Sequence, residues 1–403
     1  MNDIYFADEL YKNYADFYHT AIIQRRFKHT QLQQVLDTFR SNPVFSFTLA
    51  GKSAENRDIQ LIKVGTGPIK VMLWSQMHGD EPTATMALLD IFNFIISDNP
   101  LNNYKDAILQ QCTLYFVPMV NPDGAERFTR RNAMGIDVNR DARRLVSPEA
   151  QLLKQLQQQI QPHFGLNLHD QELYYTVGSG GKQAALAFLA PAYNPAKEIN
   201  TAREASMQLI AGVANMLQAY IPEYVSKYSD DFAPTAFGDN FQIWGTSTIL
   251  IESGGYYNDF ERQFIRKLNF VSILFMLYQI ANRLYTNIPL SDYHKIPLNK
   301  KDGLFDIIIK DVNVEAFNLK FKTDIGIRRR NFRLDGFVDY IDKFVIADIG
   351  DLSSFSALQI IEAAGYDIAG GNNQIQLESE AHFKLLKDGI PRILINNDAI
   401  KYL

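Results

Sequence analysis

The sequence of 403 residues is poor in features that define whole classes of protein. Its single cysteine, Cys112, excludes a disulfide within the chain and lies in an apolar segment typical of a buried strand. Lys and Arg number 40 against 45 Asp and Glu, and no strongly basic block occurs. This balance argues against nucleic acid as the main partner, because phosphate recognition needs a concentrated positive charge.

We also expect no segment that directs the protein to or across a membrane. The N-terminal residues are acidic rather than basic, and no apolar stretch of secretory length follows them. The longest apolar run, residues 270–280, contains Ser272 and Gln279 and falls well short of the roughly 20 residues that span a bilayer. We therefore expect a cytoplasmic protein with no membrane partner.

The composition is that of a folded globular protein. Hydrophobic residues make up 46% and charged residues 21%. Apolar strand candidates alternate with helical segments between residues 58 and 285. This alternation predicts an α/β domain built on a mixed, mostly parallel sheet covered by helices on both faces.

The domain organisation follows from changes in pattern along the chain. Residues 1–45 are predicted to be a helical N-terminal lead-in, and residues 46–288 the main domain. Pro289–Lys301 mixes Pro, Asn, Asp and Lys as a linker does. Short apolar runs separated by turn residues predict a smaller, mostly β domain over residues 302–403, although Ser356–Ala364 could be one helix.

Two strand ends carry residues suited to a metal. The apolar segment from Lys70 ends in His78-Gly79-Asp80-Glu81, where the spacing of three lets an imidazole and a carboxylate converge on one ion. His169 ends a second apolar strand, and strand ends are where an open α/β sheet binds ligands. Two histidines and one glutamate suit catalytic zinc, with a fourth position for water. Taken alone, these residues are equally compatible with polar turns at strand ends.

The order of motifs along residues 45–285 resembles the zinc carboxypeptidases of the carboxypeptidase A type. Six separated motifs carry the resemblance: His78-Gly79-Asp80-Glu81, Asn121-Pro122-Asp123-Gly124, Arg130-Arg131-Asn132, Gly135-Ile136-Asp137-Val138-Asn139-Arg140, Leu168-His169-Asp170 and a last apolar strand that ends in Glu252. The implied fold is that of the zinc carboxypeptidases over residues 46–288, followed by an accessory domain over residues 302–403.

The resemblance implies a zinc site and its surroundings. The ligands would be His78, Glu81 and His169, holding one Zn²⁺ per chain. Asp137 corresponds to the acid that steadies a zinc histidine from outside the ligand set. Glu252 corresponds to the general base, which takes a proton from water that zinc activates.

The resemblance also implies how a substrate is bound. Asn139 and Arg140 correspond to the clamp for a substrate carboxylate, a role that suits a planar guanidinium. Arg130 corresponds to the residue that stabilises the oxyanion, with Arg131 the weaker candidate. Family members usually carry a mobile tyrosine somewhat more than twenty residues before the base, and here Tyr228 is near but not in register.

The function we expect is zinc-dependent hydrolysis of a peptide or amide bond next to a free carboxylate, most simply by a metallocarboxypeptidase. The substrate would be a peptide or an acyl-amino acid with a free carboxylate. Two alternatives are a deacylase or amidase of acylated amino acids or cell-wall peptides, and a non-catalytic carboxylate-binding protein. Should Glu252 not be the base, Asp230, Asp231 and Asp239 are the next candidates.

Overall fold

The computed structural model describes residues 3–179, 181–316, 319–333, 340–370, 375–396 and 399–403. The chain divides into two compact units. The first unit comprises Met1–Leu173 and Gln183–Asn299, and the second comprises Tyr174–Lys182 and Lys300–Leu403. The second unit therefore contains a short segment from the middle of the chain in addition to the C-terminal hundred residues.

The helices and strands are as follows. The α-helices are α1 (Asp3–Lys12), α2 (His29–Arg40), α3 (Thr83–Ile96), α4 (Asn102–Gln111), α5 (Pro122–Arg127), α6 (Pro148–Ile160), α7 (Thr201–Leu217), α8 (Phe237–Ile243), α9 (Gln263–Ala281) and α10 (Leu290–Lys295), with short 3-10 turns at Tyr14–Asp16, Val138–Arg140 and Leu284–Asn287. The strands are β1 (Ser46–Lys52), β2 (Asp58–Val64), β3 (Ile69–Trp74), β4 (Cys112–Val117), β5 (Phe164–Asp170), β6 (Thr176–Val177), β7 (Leu186–Leu189), β8 (Val225–Lys227), β9 (Ser247–Ser253), β10 (Asn299–Lys300), β11 (Leu304–Ala316), β12 (Leu319–Arg333), β13 (Tyr340–Gly350), β14 (Ser356–Glu362), β15 (Tyr366–Ala369), β16 (Phe383–Lys387), β17 (Ile390–Ile395) and β18 (Ile400–Tyr402).

The first unit is built on one eight-stranded sheet with the order β1-β2-β4-β3-β5-β9-β7-β8. The central strands β4, β3, β5 and β9 run parallel to one another, and β7 is parallel to β8. The pairs β1–β2, β2–β4 and β7–β9 are antiparallel. The predicted mixed, mostly parallel sheet is confirmed. Because the central strands are parallel, their carboxyl ends meet at one edge of the sheet.

Both faces of this sheet are covered by helices. Alternate residues of β3 show this, since Val71 and Leu73 pack in a core with α3, α7 and α9, whereas Met72 and Trp74 pack against α6 and α8. Side chains point alternately to the two faces of a strand, so an uninterrupted apolar run is what a strand buried on both sides requires.

The N-terminal segment is part of the core of the first unit. Phe6 of α1 is completely buried, and its ring stacks on Tyr104 with 4.6 Å between centroids. A fully buried ion pair holds the segment that follows. Arg266 of α9 binds both carboxylate oxygens of Asp90 in α3, at 2.7 and 2.5 Å, and also donates to the main-chain carbonyl of His19.

The central helix α9 explains the longest apolar run of the sequence. In the described part of the chain, Gln263–Ala281 is the one helix long and apolar enough to cross a membrane. Of its most apolar stretch, 89% is buried inside the protein. It lies against α1, α3, α4 and α7. Its hydrophobicity is that of a core helix enclosed by other helices.

The second unit is a β structure with its own core. Strands β11 to β18 form one sheet with the order β13-β12-β11-β15-β16-β17-β18, and β14 pairs with β11; β6 and β10 form a separate two-stranded sheet. The predicted mostly β C-terminal region is confirmed, but a helix over Ser356–Ala364 is wrong. That segment contains β14, which pairs in parallel with β11 from Leu304 opposite Ser356 to Lys310 opposite Glu362. A free strand edge there gives its backbone groups partners that no local sequence pattern reveals.

Removing the buried ring of Phe6 tests whether the N-terminal segment is integral to the first unit. We expect Phe6→Ala to lower the free energy of unfolding by about 3–5 kcal/mol, as for other buried aromatic truncations. Tyr5→Ala is the matched control, because Tyr5 is on the same helix and 53% exposed, and we expect it to cost less than about 1 kcal/mol. Denaturant unfolding measures both. Equal effects would show that α1 is not part of the cooperative core.

Candidate metal centre

The turn between β3 and α3 brings two predicted ligands together. The main-chain N–H of Glu81 donates to the carbonyl of His78, which closes the turn. Gly79 permits it, because a Cβ there would lie 2.0 Å from the backbone of Gly124. The tight approach seats the first motif against the Asn-Pro-Asp-Gly motif, so no larger residue fits at this position.

The carboxylate of Glu81 lies between two histidines. Its Oε1 is 2.8 Å from His78 Nδ1, and its Oε2 is 2.6 Å from Nδ1 of His169, the penultimate residue of β5. All three residues are buried, and one ligand atom from each lies within 4.8 Å of the others. The structure thus brings together the three residues that were predicted from separate strand ends.

Asp137 and Arg130 surround this group. His78 Nε2 is 3.0 Å from Asp137 Oδ1, as predicted for the ring nitrogen that faces away from the other ligand atoms. Arg130 donates from Nε to the other Asp137 oxygen at 3.0 Å and from Nη1 to Glu81 Oε1 at 3.2 Å. The Arg130 side chain is 44% exposed, so part of it is accessible to solvent while it contacts Glu81 and Asp137.

Charges within the group shift its proton affinities in opposite directions. Burial disfavours the charged form of His78, but Glu81 and the hydrogen bonds to Asp137 and Glu81 prevail and raise the pKa of His78 to about 9. Burial would raise the pKa of Glu81, yet the positive charge beside it holds that pKa well below its usual range. Burial lowers the pKa of His169. The centre therefore keeps one carboxylate ionised in a buried place, where positive charge on its neighbours compensates it.

The donor set fits a zinc ion. Two imidazole nitrogens and one carboxylate are the protein ligands of many catalytic zinc sites. His78 Nε2 is occupied by Asp137, so Nδ1 is the nitrogen directed at Glu81. His169 Nε2 is buried with no hydrogen-bond partner among the described residues, and its Nδ1 is likewise the nitrogen that faces the carboxylate. A divalent cation would balance the Glu81 charge in place of a proton.

The pairing of β5 with β9 puts Glu252 next to His169, one of the candidate ligands. On β9 it pairs directly with His169 of the parallel strand β5, and residues paired in this way project to the same face of a sheet. Its Oε2 is buried without a hydrogen-bond partner in the described part of the chain. Burial, and next the negative charge of Glu81, raise the pKa of Glu252 well above the usual value for a glutamate. Glu252 is therefore a titratable carboxyl that the fold places next to the ligand group in the sheet register.

The predicted clamp residues lie on the 3-10 turn next to Asp137. The main-chain N–H of Asn139 donates to Asp137 Oδ1 at 3.0 Å, so one carboxylate oxygen contacts both His78 and this turn. The side-chain oxygen of Asn139 accepts from the Phe237 N–H at 2.9 Å, which directs its NH₂ group elsewhere as a donor. Arg140 is exposed and donates to the Asn139 carbonyl.

Several motif residues have architectural contacts. The Asn121 side chain caps α5 by accepting from the Gly124 N–H, and the Asp123 carboxylate binds Ser53 Oγ at 2.7 Å. Asn132 accepts from the Met134 and Ile136 N–H groups and so shapes the loop between Arg130 and Asp137. Arg131 is exposed and donates to the Gly135 carbonyl, so Arg130 is the arginine that contacts the ligand group.

The remaining candidates are held in other contacts. Tyr228 donates from its hydroxyl to Gln171 Oε1 at 2.8 Å, close behind the end of β5. Asp230 pairs with Arg203 at 2.5 Å, and Asp231 pairs with Lys197 at 2.7 Å. Burial raises the pKa of Asp239 to about 6, and its Oδ1 accepts from the Ala233 N–H.

Two residues in this region had no predicted role. Asp170 follows His169, and Arg262 precedes α9; their side chains, each 3% exposed, are 3.2 Å apart. A charged residue directly after a ligand was the available signal for Asp170. Arg262 is remote in sequence from every motif, and its position became evident only in the fold.

Comparison with known proteins gives a consistent result. Residues 32–147 match the family model of the zinc carboxypeptidases, a span that includes His78, Glu81 and the Arg130–Arg140 segment. Carboxypeptidase 2 of Trichophyton tonsurans is 25% identical over 164 residues, which are 40% of this chain and 29% of that protein. The chain therefore spans less than a third of the length of this curated relative.

Solved structures share the fold. A metallo-carboxypeptidase of Burkholderia cenocepacia superposes with a TM-score of 0.52 at 16% identity, covering 66% of this chain and 71% of that chain. A metallo-carboxypeptidase of Pseudomonas aeruginosa, solved with (2-guanidinoethylmercapto)succinic acid, has a TM-score of 0.50 at 18% identity and covers 64% and 70%. At these identities the likeness establishes the architecture.

Asp137 should strengthen metal binding through His78. We expect Asp137→Ala to weaken zinc affinity by about 10- to 100-fold, because the outer partner orients the ring and raises its basicity. Chelator competition measures the change. Asp141→Ala is the control, since the Asp141 carboxylate caps Ser147 and contacts none of the ligands among the described residues. Unchanged affinity in Asp137→Ala would remove this role.

Proposed function

We propose that this chain, which matches the zinc carboxypeptidase family model over residues 32–147, is a metallocarboxypeptidase that hydrolyses the peptide or amide bond next to a free carboxylate. The observation that carries the proposal is the grouping of His78, Glu81 and His169, with Glu252 paired in register beside His169. A binding protein would need the carboxylate clamp but would have no use for a carboxyl there whose buried Oε2 has no hydrogen-bond partner among the described residues.

The cofactor in this proposal is one zinc ion per chain, held by His78, Glu81 and His169. When bound, zinc supplies a Lewis acid that polarises a carbonyl group and lowers the pKa of water. Asp137 binds Nε2 of His78 and so orients the ring, which leaves Nδ1 as the nitrogen that would hold the ion. The buried surroundings exclude competing water and strengthen these electrostatic interactions.

Hydrolysis then needs proton transfer and charge stabilisation. Glu252 accepts a proton from the attacking water as the oxygen bonds to the scissile carbonyl carbon. The same carboxyl returns that proton to the leaving nitrogen as the carbon–nitrogen bond breaks, so the products are a carboxylic acid and an amine. In this proposal Arg130 donates to the carbonyl oxygen as negative charge develops there. The proposal is supported by its guanidinium, which is bound by Asp137, contacts Glu81 and is partly exposed.

Recognition of the substrate end is assigned to Asn139 and Arg140. A guanidinium can bind both oxygens of a carboxylate, and the Asn139 amide adds a donor that its contact with Phe237 orients. The turn that carries them is fixed to Asp137, so the distance between the clamp and the metal ligands is set by one short segment. The substrate class is thus a peptide or acyl-amino acid with a free carboxylate.

The function is tested by metal analysis together with turnover. We expect one zinc per folded chain and hydrolysis of peptides with a free C-terminus that stops on chelation and returns on adding zinc. Acyl-amino acids and cell-wall fragments belong in the same panel. Turnover of these alone would favour an amidase, and tight binding without turnover would favour a carboxylate-binding protein.

Glu252→Gln separates chemistry from metal binding. The amide keeps the size of the side chain but cannot accept the proton, so we expect kcat to fall by about 10²- to 10⁴-fold while zinc content and KM change little. Steady-state kinetics and metal analysis on one preparation provide the measurement. Asp239→Asn is the control, a nearby acid with raised pKa that is not assigned to the reaction. Near-normal turnover of Glu252→Gln would place the base elsewhere.

The clamp predicts a requirement for a charged substrate end. Amidating the C-terminus of a good peptide should lower kcat/KM by roughly 30-fold or more, equivalent to about 2 kcal/mol for the loss of one charge partner. Arg140→Met should remove most of this discrimination, whereas Arg131→Met should preserve it. Equal turnover of acid and amide by the unmodified protein would contradict the clamp.

A further inference from the structure

A buried ion pair lies behind the metal ligands and outside the residues assigned so far. Arg262 Nη1 is 3.2 Å from Asp170 Oδ2, and both side chains are 3% exposed. Arg25 approaches the same oxygen at 3.6 Å. The pair lies at the edge of the sheet where β5 and β9 end, directly beyond His169 and Glu252.

Asp170 contacts the Glu81 segment in two ways. Its main-chain N–H donates to Glu81 Oε2 at 3.2 Å, and its Oδ2 accepts from Thr83 Oγ1 at 2.6 Å. Thr83 is the first residue of α3 and lies two residues after Glu81. Asp170 therefore links the strand end that carries His169 to the turn that carries the other two ligands.

Arg262 joins the ends of the two neighbouring strands. Its Nη1 donates to the carbonyl of Ser253 at 2.5 Å, and its Nη2 donates to the carbonyl of Gln171 at 2.8 Å. Ser253 follows Glu252 on β9. A single guanidinium thus bridges the strand end of a ligand and the strand end of the proposed base.

The backbone conformation of Arg262 is unusual, and its side chain is not used to cap α9. Arg262 has φ 52°, a left-handed conformation that costs an L-residue on the order of 1 kcal/mol. The Asp259 carboxylate accepts from the Gln263, Phe264 and Ile265 N–H groups and caps α9, so the cap does not use the Arg262 side chain. Burial lowers the pKa of Arg262 to about 10, which leaves the guanidinium charged at neutral pH.

From these contacts we infer that the Asp170–Arg262 pair is a positioning element that holds Glu81, His169 and Glu252 in mutual register. It touches neither substrate nor metal and acts through Thr83, the Asp170 N–H and the Ser253 carbonyl. The inference rests on the proposed function for the role of Glu252. This role suits the guanidinium of Arg262, whose planar group of several N–H donors reaches the carbonyls of Ser253 and Gln171 and the Asp170 carboxylate together. The single ammonium group of a lysine does not match this arrangement.

The test compares Arg262→Lys with Arg266→Lys. Arg266 lies four residues after Arg262, within α9, is fully buried and pairs with Asp90. It therefore matches Arg262 in burial and chemistry but contacts the N-terminal segment instead. We measure zinc affinity by chelator competition, the visible absorption of the cobalt-substituted protein, kcat and KM on a peptide with a free C-terminus, and Tm. Asp170→Asn and Asp90→Asn form a second matched pair that preserves shape.

We expect Arg262→Lys to weaken zinc affinity and lower kcat by about 10- to 100-fold, with an altered cobalt spectrum and KM within roughly threefold. Arg266→Lys should lower Tm at least as much and leave zinc affinity, cobalt spectrum and kcat unchanged. Should the two lysine variants behave alike, the Asp170–Arg262 pair is only structural and the inference is wrong. If Arg262→Lys does not fold, the asparagine pair decides by the same criteria.

The metal readouts keep this inference separate from the proposed function. A wild-type protein that binds zinc but hydrolyses no substrate would overturn the proposed function. The comparison of zinc affinity and cobalt spectra between the variants would still support or overturn the positioning of Glu81 and His169.

Discussion

The carboxylate of Glu81 between two buried imidazoles is the interaction on which the centre depends. An ionised carboxylate in the protein interior is stable only if positive charge or strong donors compensate it. His78 and His169 approach it from opposite oxygens, and Arg130 and the Asp170 N–H complete its surroundings. Of these groups, only His78 is close to Glu81 in the sequence. The fold must therefore bring the others to Glu81.

The parallel sheet delivers them by aligning strand ends. β3, β5 and β9 are adjacent and point the same way, so the residues that follow or end them meet at one edge. Around that edge negative and positive side chains alternate, from Asp137 through His78 and Glu81 to Arg130, and from Asp170 to Arg262. This alternation lets several charges share a buried region, and it also fixes side-chain orientations that isolated charges would not hold.

In the second unit the backbone hydrogen bonds are also made between strands, but no helices cover the sheet in the part of the chain that the structure describes. Its strands β11 to β18 complete their hydrogen bonds within one sheet and enclose a core of Ile and Phe residues. The segment Ser356–Glu362 shows how pairing overrides local pattern, since its residues have mixed propensity and became a strand because the edge of β11 offered partners. Periodicity alone could not distinguish these outcomes in so short a run.

The sequence by itself determined the class of fold and which residues make up the candidate centre. Uninterrupted apolar runs predicted buried strands, and the ordered motifs identified His78, Glu81, His169, Asp137 and Glu252, because residue type and strand-end position are local properties. Only the tertiary structure decided that Arg130 rather than Arg131 faces the ligands, that residues 1–45 pack into the core, and that Arg262 bridges β5 and β9. These outcomes depend on side-chain direction and on contacts between segments far apart in the chain, which no local pattern encodes.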